Sequence, residues 1–318
     1  MATPGAALLL TATLPVALLM GTGIVLRRQE IVEDRFRAGL LTLVLNLLFP
    51  ALVLAKVTVN PALRDNVVAL SAPVAGFLSS AIGLVIARLA APLAGADTSE
   101  RRRAFAYTAG HYNYSYLAIP VCTVLYGPES IAVLLLFNLG IEFSLWTVGI
   151  MTLTGGGLKD ARRRMLNPIT VSMLAAIVLN RTGIGAHLPD WSFSFLNMLG
   201  ACAVPLGLML VGMGIPALLQ GFRAHHDPGI AIGAVVVRNL LVPGCFALAA
   251  VLIAPLPAEV RRILLLQAAM PAGTMTLVMC QHYGIAPQVG LRVFVASTLA
   301  AIVTLPLWLW IGGRLAAS

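Results

Sequence analysis

The sequence predicts an all-α polytopic membrane protein of ten transmembrane helices, arranged as two inverted repeats of five. Three observations lead there. Of 318 residues, 59% are hydrophobic and only 10% charged, whereas soluble domains carry about a quarter charged residues. The apolar residues gather in ten runs near the roughly 20 residues that one membrane span requires. Short motifs also recur between the halves: Phe49-Pro50-Ala51-Leu52 against Val204-Pro205-Leu206-Gly207, and Tyr126-Gly127 against Tyr283-Gly284. Because five is odd, the second set of helices must enter the membrane from the opposite side.

Breaks of Gly, Pro and charge place the spans in order. Span 1 (6–26) has no basic residue ahead of it and reads as a retained helix rather than a cleaved leader. Arg27, Arg28, Arg35 and Arg37 separate it from span 2 (39–59), and Arg64 precedes span 3 (67–91). Arg88 and Arg101 to Arg103 flank the way into span 4 (105–126), while span 5 (130–153) follows a loop without basic residues. A linker over 154–166 holds Lys159 and Arg162 to Arg164. Spans 6 (167–184), 7 (193–219), 8 (230–254), 9 (263–283) and 10 (289–311) follow. The units are therefore residues 1–153 and 167–318, joined by that linker. Basic loops after spans 1, 3 and 5 face the cytoplasm by the positive-inside rule, which puts both termini outside. In the second half Arg261 and Arg262 would face outward, so the first half sets this orientation.

The +9 net charge, which in a soluble chain points to nucleic acid, here marks topology. Cys122, Cys202, Cys245 and Cys280 stand singly in four apolar runs and read as small buried hydrophobes. No HExxH, Gly-x-Ser-x-Gly or P-loop occurs, so the sequence supplies no catalytic, cofactor or metal constellation. His225-His226-Asp227 reads as a solvated turn rather than a metal site.

Function must lie in the spans. Span 4 carries Gly110-His111-Tyr112-Asn113-Tyr114-Ser115-Tyr116 before Ile119-Pro120. That many hydrogen-bonding side chains cannot face lipid, since each unmatched group in hydrocarbon costs several kcal/mol. Pro120 removes a backbone donor and frees the Tyr116 carbonyl. Span 9 carries the partner feature, Met270-Pro271-Ala272-Gly273-Thr274. Broken helices in corresponding places of two halves point to a midplane binding site, with packing kinks as the alternative. Asn46, four residues before Pro50 on one helix face, is placed to bond a freed carbonyl. Glu142, the one acid deep in a span, is a functional candidate by default. It should either pair with a cation, Arg238 being the leading candidate, or stay protonated, and so make transport depend on pH. Arg238 would otherwise serve as a counter-charge to substrate; Lys56 and Arg292, near span ends, read as snorkelling.

From spans 4 and 9 a resemblance emerges. Leu266-Gln267-Ala268-Ala269-Met270-Pro271-Ala272-Gly273, then Gln281-His282-Tyr283-Gly284 and Leu305-Pro306, resemble the auxin efflux carrier family. Its members include plant auxin exporters and bacterial malonate transporters. Asn113 with Ile119-Pro120 and Tyr126-Gly127, Asn46 to Pro50, Asn167-Pro168 and Val204-Pro205 extend the likeness over nearly the whole chain. The resemblance implies a fold like that of bile-acid symporters, with spans 4 and 9 unwound and crossing at Tyr112, Pro120 and Pro271. It also implies an elevator-like movement of spans 3–5 and 8–10 against spans 1, 2, 6 and 7, often in a dimer. Small organic anions are the implied substrates. Plant members commonly carry Pro-Asn where this chain has Tyr112-Asn113, often Asn or Gln where it has Ala272, and Gln where it has Glu142.

The resulting expectation is a secondary transporter of the bacterial cytoplasmic membrane that moves a small organic anion, a carboxylate, without cofactor. Asn113, Asn46, Glu142 and the segment Met270, Pro271, Ala272, Gly273 and Thr274 would form the site, using exposed amides and half-helix N-termini. The partners are the anion, the lipid bilayer and a second copy of the chain, with no nucleic acid. The rivals are a sodium- or proton-coupled symporter of the same fold, and a channel or transport-dead sensor.

Overall fold

The computed structural model describes residues 6–156, 167–224, 227–252 and 256–315. Most of the predicted linker, with Lys159 and Arg162 to Arg164, lies outside the described residues, as do His225 and His226.

The chain folds into α1 (Ala6–Arg28), α2 (34–57), α3 (Asn66–Ala90), α4 (Ser99–Gly110), α5 (Ala118–Tyr126) and α6 (Ser130–Thr154). Then come α7 (Pro168–Thr182), α8 (Asp190–Ala201), α9 (Ala203–Ala224), α10 (Pro228–Leu252), α11 (Ala258–Ala268), α12 (Thr274–Tyr283) and α13 (Pro287–Leu315). Among the described residues there is no strand; one antiparallel bridge joins Tyr112 to Ala272. Six stretches are long and apolar enough to cross a membrane: Arg35–Val57, Asn66–Ala90, Ser130–Thr154, Asp190–Gln220, Pro228–Leu252 and Pro287–Leu315. α7 is apolar but shorter.

Local chemistry sets the helix ends. The Asp65 carboxylate accepts from the Val67 amide to start α3, Asn167 accepts from Thr170 ahead of Pro168 to start α7, and Asp227 accepts from Ile230 ahead of Pro228 to start α10. α6, α7 and α12 stop at Gly155, Gly183 and Gly284, whose φ values of 71°, 75° and 65° suit glycine. Three π-helical turns interrupt α2, α6 and α10, at Val44–Leu48, Leu145–Gly149 and Val235–Leu241. Such turns gather at functional places, and these hold Asn46, Trp146 and Arg238.

Two helix sets pack tightly. α1 lies along α9, and the second half of α2 lies against α7 and α8. α3 lies between α6 and α4, with α10, α11 and α13 completing that group. The α3–α6 contact depends on the absence of side chains. A Cβ at Gly140 would sit 1.8 Å from the Pro73 carbonyl oxygen, and one at Gly76 2.0 Å from that of Phe137. Around this seam Leu134, Phe137, Ile141 and Leu145 are fully buried.

Several expectations are corrected here. Cys202 and Cys245 are exposed on outer helix surfaces, unlike the buried Cys122 and Cys280. Arg292 does not snorkel: it is buried, donates to the Phe222 carbonyl at 2.6 Å and stacks over the Phe222 ring, because the C-terminal carbonyls of α9 lie within its reach. Lys56 donates to Asn197 on α8 at 3.0 Å. Asp227 is more than part of a solvated turn, since it also pairs with Arg101 at the start of α4.

Candidate functional site

The polar stretch of span 4 and the Pro-Gly stretch of span 9 both leave the helical path, and they meet. Residues 111–117 separate α4 from α5, and 269–273 separate α11 from α12. His111 takes extended dihedrals at the end of α4, and Gly273 does so ahead of α12. The two unwound segments pair like a minimal antiparallel ladder. The Asn113 amide donates to the Pro271 carbonyl at 2.8 Å, and the Gly273 amide donates to the His111 carbonyl at 3.3 Å. Gly273 has to be small here, because a Cβ would lie 2.8 Å from the Tyr112 carbonyl oxygen. Pro271 fits as an acceptor that needs no donor of its own.

Pro120 plays another part than expected. The break lies before it, and it occupies the first turn of α5, where a missing amide hydrogen costs nothing because the first amides of a helix lack partners anyway. It starts the second half-helix rather than kinking a continuous one.

Side chains from four helices brace the crossing. Asn138 on α6 donates to the Tyr114 carbonyl at 2.9 Å, and Gln267 on α11 donates to that oxygen at 3.1 Å and to Asn138 Oδ1 at 2.8 Å. Ser297 on α13 accepts from the Ala272 amide at 3.2 Å. Tyr112 is fully buried and shares a 2.7 Å hydrogen bond with Ser79 on α3. The sequence reading did not select Asn138, Gln267, Ser79 or Ser297. The one signal available for Asn138 is its position four residues before Glu142, on the same face of α6.

Arg238 is fully buried on α10. Its Nη2 donates to the Ala268 carbonyl at 2.9 Å, and its guanidinium lies 4.9 Å from the Tyr112 ring centroid. It does not pair with Glu142. That carboxylate accepts from the Tyr114 hydroxyl and, at 2.7 Å, from Trp146 Nε1. The reason is position: Trp146 follows Glu142 by one helical turn, whereas Arg238 is held at the end of α11. Glu142 also lines a small crevice with Phe143, Trp146 and Thr170 of α7.

Asn46 stands apart from the crossing. It is exposed and its amide donates to the Thr42 carbonyl at 2.8 Å, one turn back, instead of bonding a carbonyl freed by Pro50. Met270, Pro271, Ala272 and Gly273 are buried, and the peptide groups of the last three are engaged in the crossing. Exposure begins at Thr274 and Asn113, both half-buried. Asn113 makes no side-chain hydrogen bond and Thr274 Oγ1 has no partner among the described residues. The N-terminus of α12 starts at Thr274, bringing amides without intrahelical partners and partial positive charge, whereas at α5 the Ile119 and Val121 amides bond the Ser115 and Leu117 carbonyls and Pro120 has no amide hydrogen. The arrangement offers hydrogen-bond donors to an acceptor-rich ligand. Among the described residues no group of three metal-ligating side chains occurs.

A family model described as "Membrane transport protein" matches residues 8–161 and again residues 157–309. A comparison with curated proteins finds no match.

Proposed function

Since the chain belongs to the auxin efflux carrier family of membrane transport proteins, we propose that it is a secondary transporter for a small organic anion, a carboxylate. The observation that carries this reading is the buried crossing of two interrupted helices, tied through Asn113 and Gly273, with unused donors at Asn113 and at Thr274, where α12 starts. A carboxylate offers about four acceptor sites and suits those donors.

The architecture behind this function is ten spans in two inverted five-helix repeats. Interrupted helices α4/α5 and α11/α12 hold equivalent fourth places in residues 1–153 and 167–318, and the family match divides between the same halves. The grouping of α1 with α9 and of α2 with α7 and α8, while α4 and α6 flank α3, supports an elevator-type mechanism. In it the crossing and its anion ride with the second group past the first. The location is the bacterial cytoplasmic membrane with both termini outside, and the working unit is a pair of chains. The protein does no covalent chemistry.

Proteoliposomes preloaded with unlabelled carboxylates test the proposal. Uptake of the labelled anion should saturate and should be driven by counterflow. Linear, non-saturating flux would identify a channel, and no flux with any mono- or dicarboxylate would refute an anion carrier.

A further inference from the structure

Cations stabilise helix C-termini, and in membrane carriers the C-terminal ends of broken helices and their unwound carbonyls are where a coupling sodium ion is held. Among the described residues several of those oxygens already have donors. At the end of α4, the Tyr107 carbonyl accepts from His111 Nδ1 at 3.0 Å. At the end of α11, the Ala268 carbonyl accepts from Arg238 at 2.9 Å. In the unwound segments the Tyr114 carbonyl takes two side-chain amides, and the Pro271 and His111 carbonyls take backbone amides. A free cation would have to displace these bonds to use those oxygens.

Arg238 is also unusual in itself. A guanidinium stays charged in proteins, and burying a charge without a partner costs several kcal/mol. This one is fully buried and forms no ion pair, and its Nε and Nη1 have no hydrogen-bond partner among the described residues. Its compensation comes from the negative end of α11 and from the face of Tyr112. Both contacts lie at the crossing, where Tyr112 is itself the residue bridged to Ala272.

We propose that the Arg238 guanidinium is a resident cation occupying the place at the helix crossing where a coupled carrier binds a free one, so that this protein transports without sodium. The inference rests on the carrier reading above and narrows it, since it sets aside sodium symport. It makes Arg238 a positioning residue: it holds the end of α11 against Tyr112 and so fixes the geometry that presents Asn113 and Thr274.

The test uses the full chain, purified in detergent and reconstituted in liposomes, with labelled malonate as the first transport probe. Melting temperature and malonate counterflow are measured in sodium, potassium and choline chloride at equal ionic strength. The parent should give the same values in all three; a melting temperature or rate raised specifically by sodium would overturn the proposal. Arg238→Ala removes the cation and leaves a guanidinium-sized gap. Its melting temperature should fall and its malonate uptake should be largely lost. Added guanidinium ion, at concentrations too low to denature, should raise both toward the parent's values, while tetramethylammonium should not. Parent-like melting of Arg238→Ala, or no response to guanidinium, would overturn the proposal. Should Arg238→Ala not fold, the ion comparison on the parent decides alone, and Arg238→Lys, which keeps a tethered cation, should remain indifferent to sodium. Absence of uptake of any carboxylate by the parent refutes the carrier reading, while the melting measurements, which need no substrate, still decide this one.

Discussion

Glu142→Gln isolates the charge of the deepest acid at almost constant shape. In the parent the carboxylate accepts two hydrogen bonds, from the Tyr114 hydroxyl and from Trp146 Nε1. A glutamine can keep both only if Oε1 accepts from Trp146, which is donor-only, and Nε2 donates to the Tyr114 oxygen, turning that hydroxyl round. Bonds to a charged group are worth about 1.5–3 kcal/mol and neutral ones about 0.5–1.5 kcal/mol. If Glu142 is ionised in the folded protein, the exchange costs about 2 kcal/mol in hydrogen bonding at neutral pH, opposed by the several kcal/mol of desolvation that a buried unpaired charge carries and an amide does not. The cost disappears at a pH low enough to protonate the carboxyl, because the variant then mimics the parent's own state. The same logic governs rate. If the carboxyl gains and loses its proton during the cycle, the parent's counterflow rate changes with pH. The variant's rate should be flat there and equal to the parent's acid limit. Melting curves and carboxylate counterflow, each measured across pH for both proteins, check this. Parallel pH profiles, at equal expression, would refute the reasoning and leave Glu142 as a fixed hydrogen-bond acceptor for Tyr114 and Trp146.

Three further outcomes follow from the structure. Asn113→Ala should weaken substrate binding by about 1–3 kcal/mol, the cost of leaving a buried polar partner unmatched, with melting unchanged because its side chain bonds nothing among the described residues; parental affinity in a binding titration would move the site away from this residue. Gly140→Ala should abolish the monodisperse folded protein seen by size exclusion, because its Cβ would meet the Pro73 backbone at 1.8 Å, whereas Gly21→Ala, with nothing within 4 Å, should melt no lower than the parent. Single cysteines beside Arg101 to Arg103 and at Ser318 should react with an impermeant maleimide in intact cells only at Ser318; the reverse pattern would invert the proposed topology.

The helices were largely legible because their signals are local. Runs of apolar residues bounded by Asn167-Pro168, Asp227-Pro228 or Gly183 carry their own start and stop chemistry, and the predicted spans fall on the observed helices to within a few residues. The two breaks were legible as well, since His111 to Tyr116 cannot face lipid and Pro271 cannot donate. Their exact form was not. Pro120 looked like the cause of the first break, yet a proline is equally at home in the first turn of a new helix, and nothing local distinguishes the two. The bracing network was illegible for a different reason. Gln267 and Asn138 are far apart in the chain, and nothing in their neighbourhoods says that both amides reach one carbonyl, that of Tyr114. Charge pairing failed in the same way: Glu142 and Arg238 were the two deep charges, and opposite sign alone proposed a pair that helix positions do not make.

What remains after the bonds are assigned says most about the ligand. In an interior with little water, unwound backbone persists only where its polar groups find partners, and at this crossing the backbone partners are Pro271, His111, Ser297, Asn138 and Gln267. A ligand that competed for those groups would unmake the crossing that holds it. The groups left over are the half-buried Asn113 amide, the buried Thr274 hydroxyl and the first amides of α12. All of them can donate, and the α12 N-terminus adds positive potential. The acid closest to them, Glu142, has both oxygens taken by Tyr114 and Trp146. On the proposed reading an anion rich in acceptors would bind at Asn113 and Thr274 without breaking a bond on which the crossing depends, whereas a donor-rich ligand would compete for the Tyr114, Pro271 and His111 carbonyls.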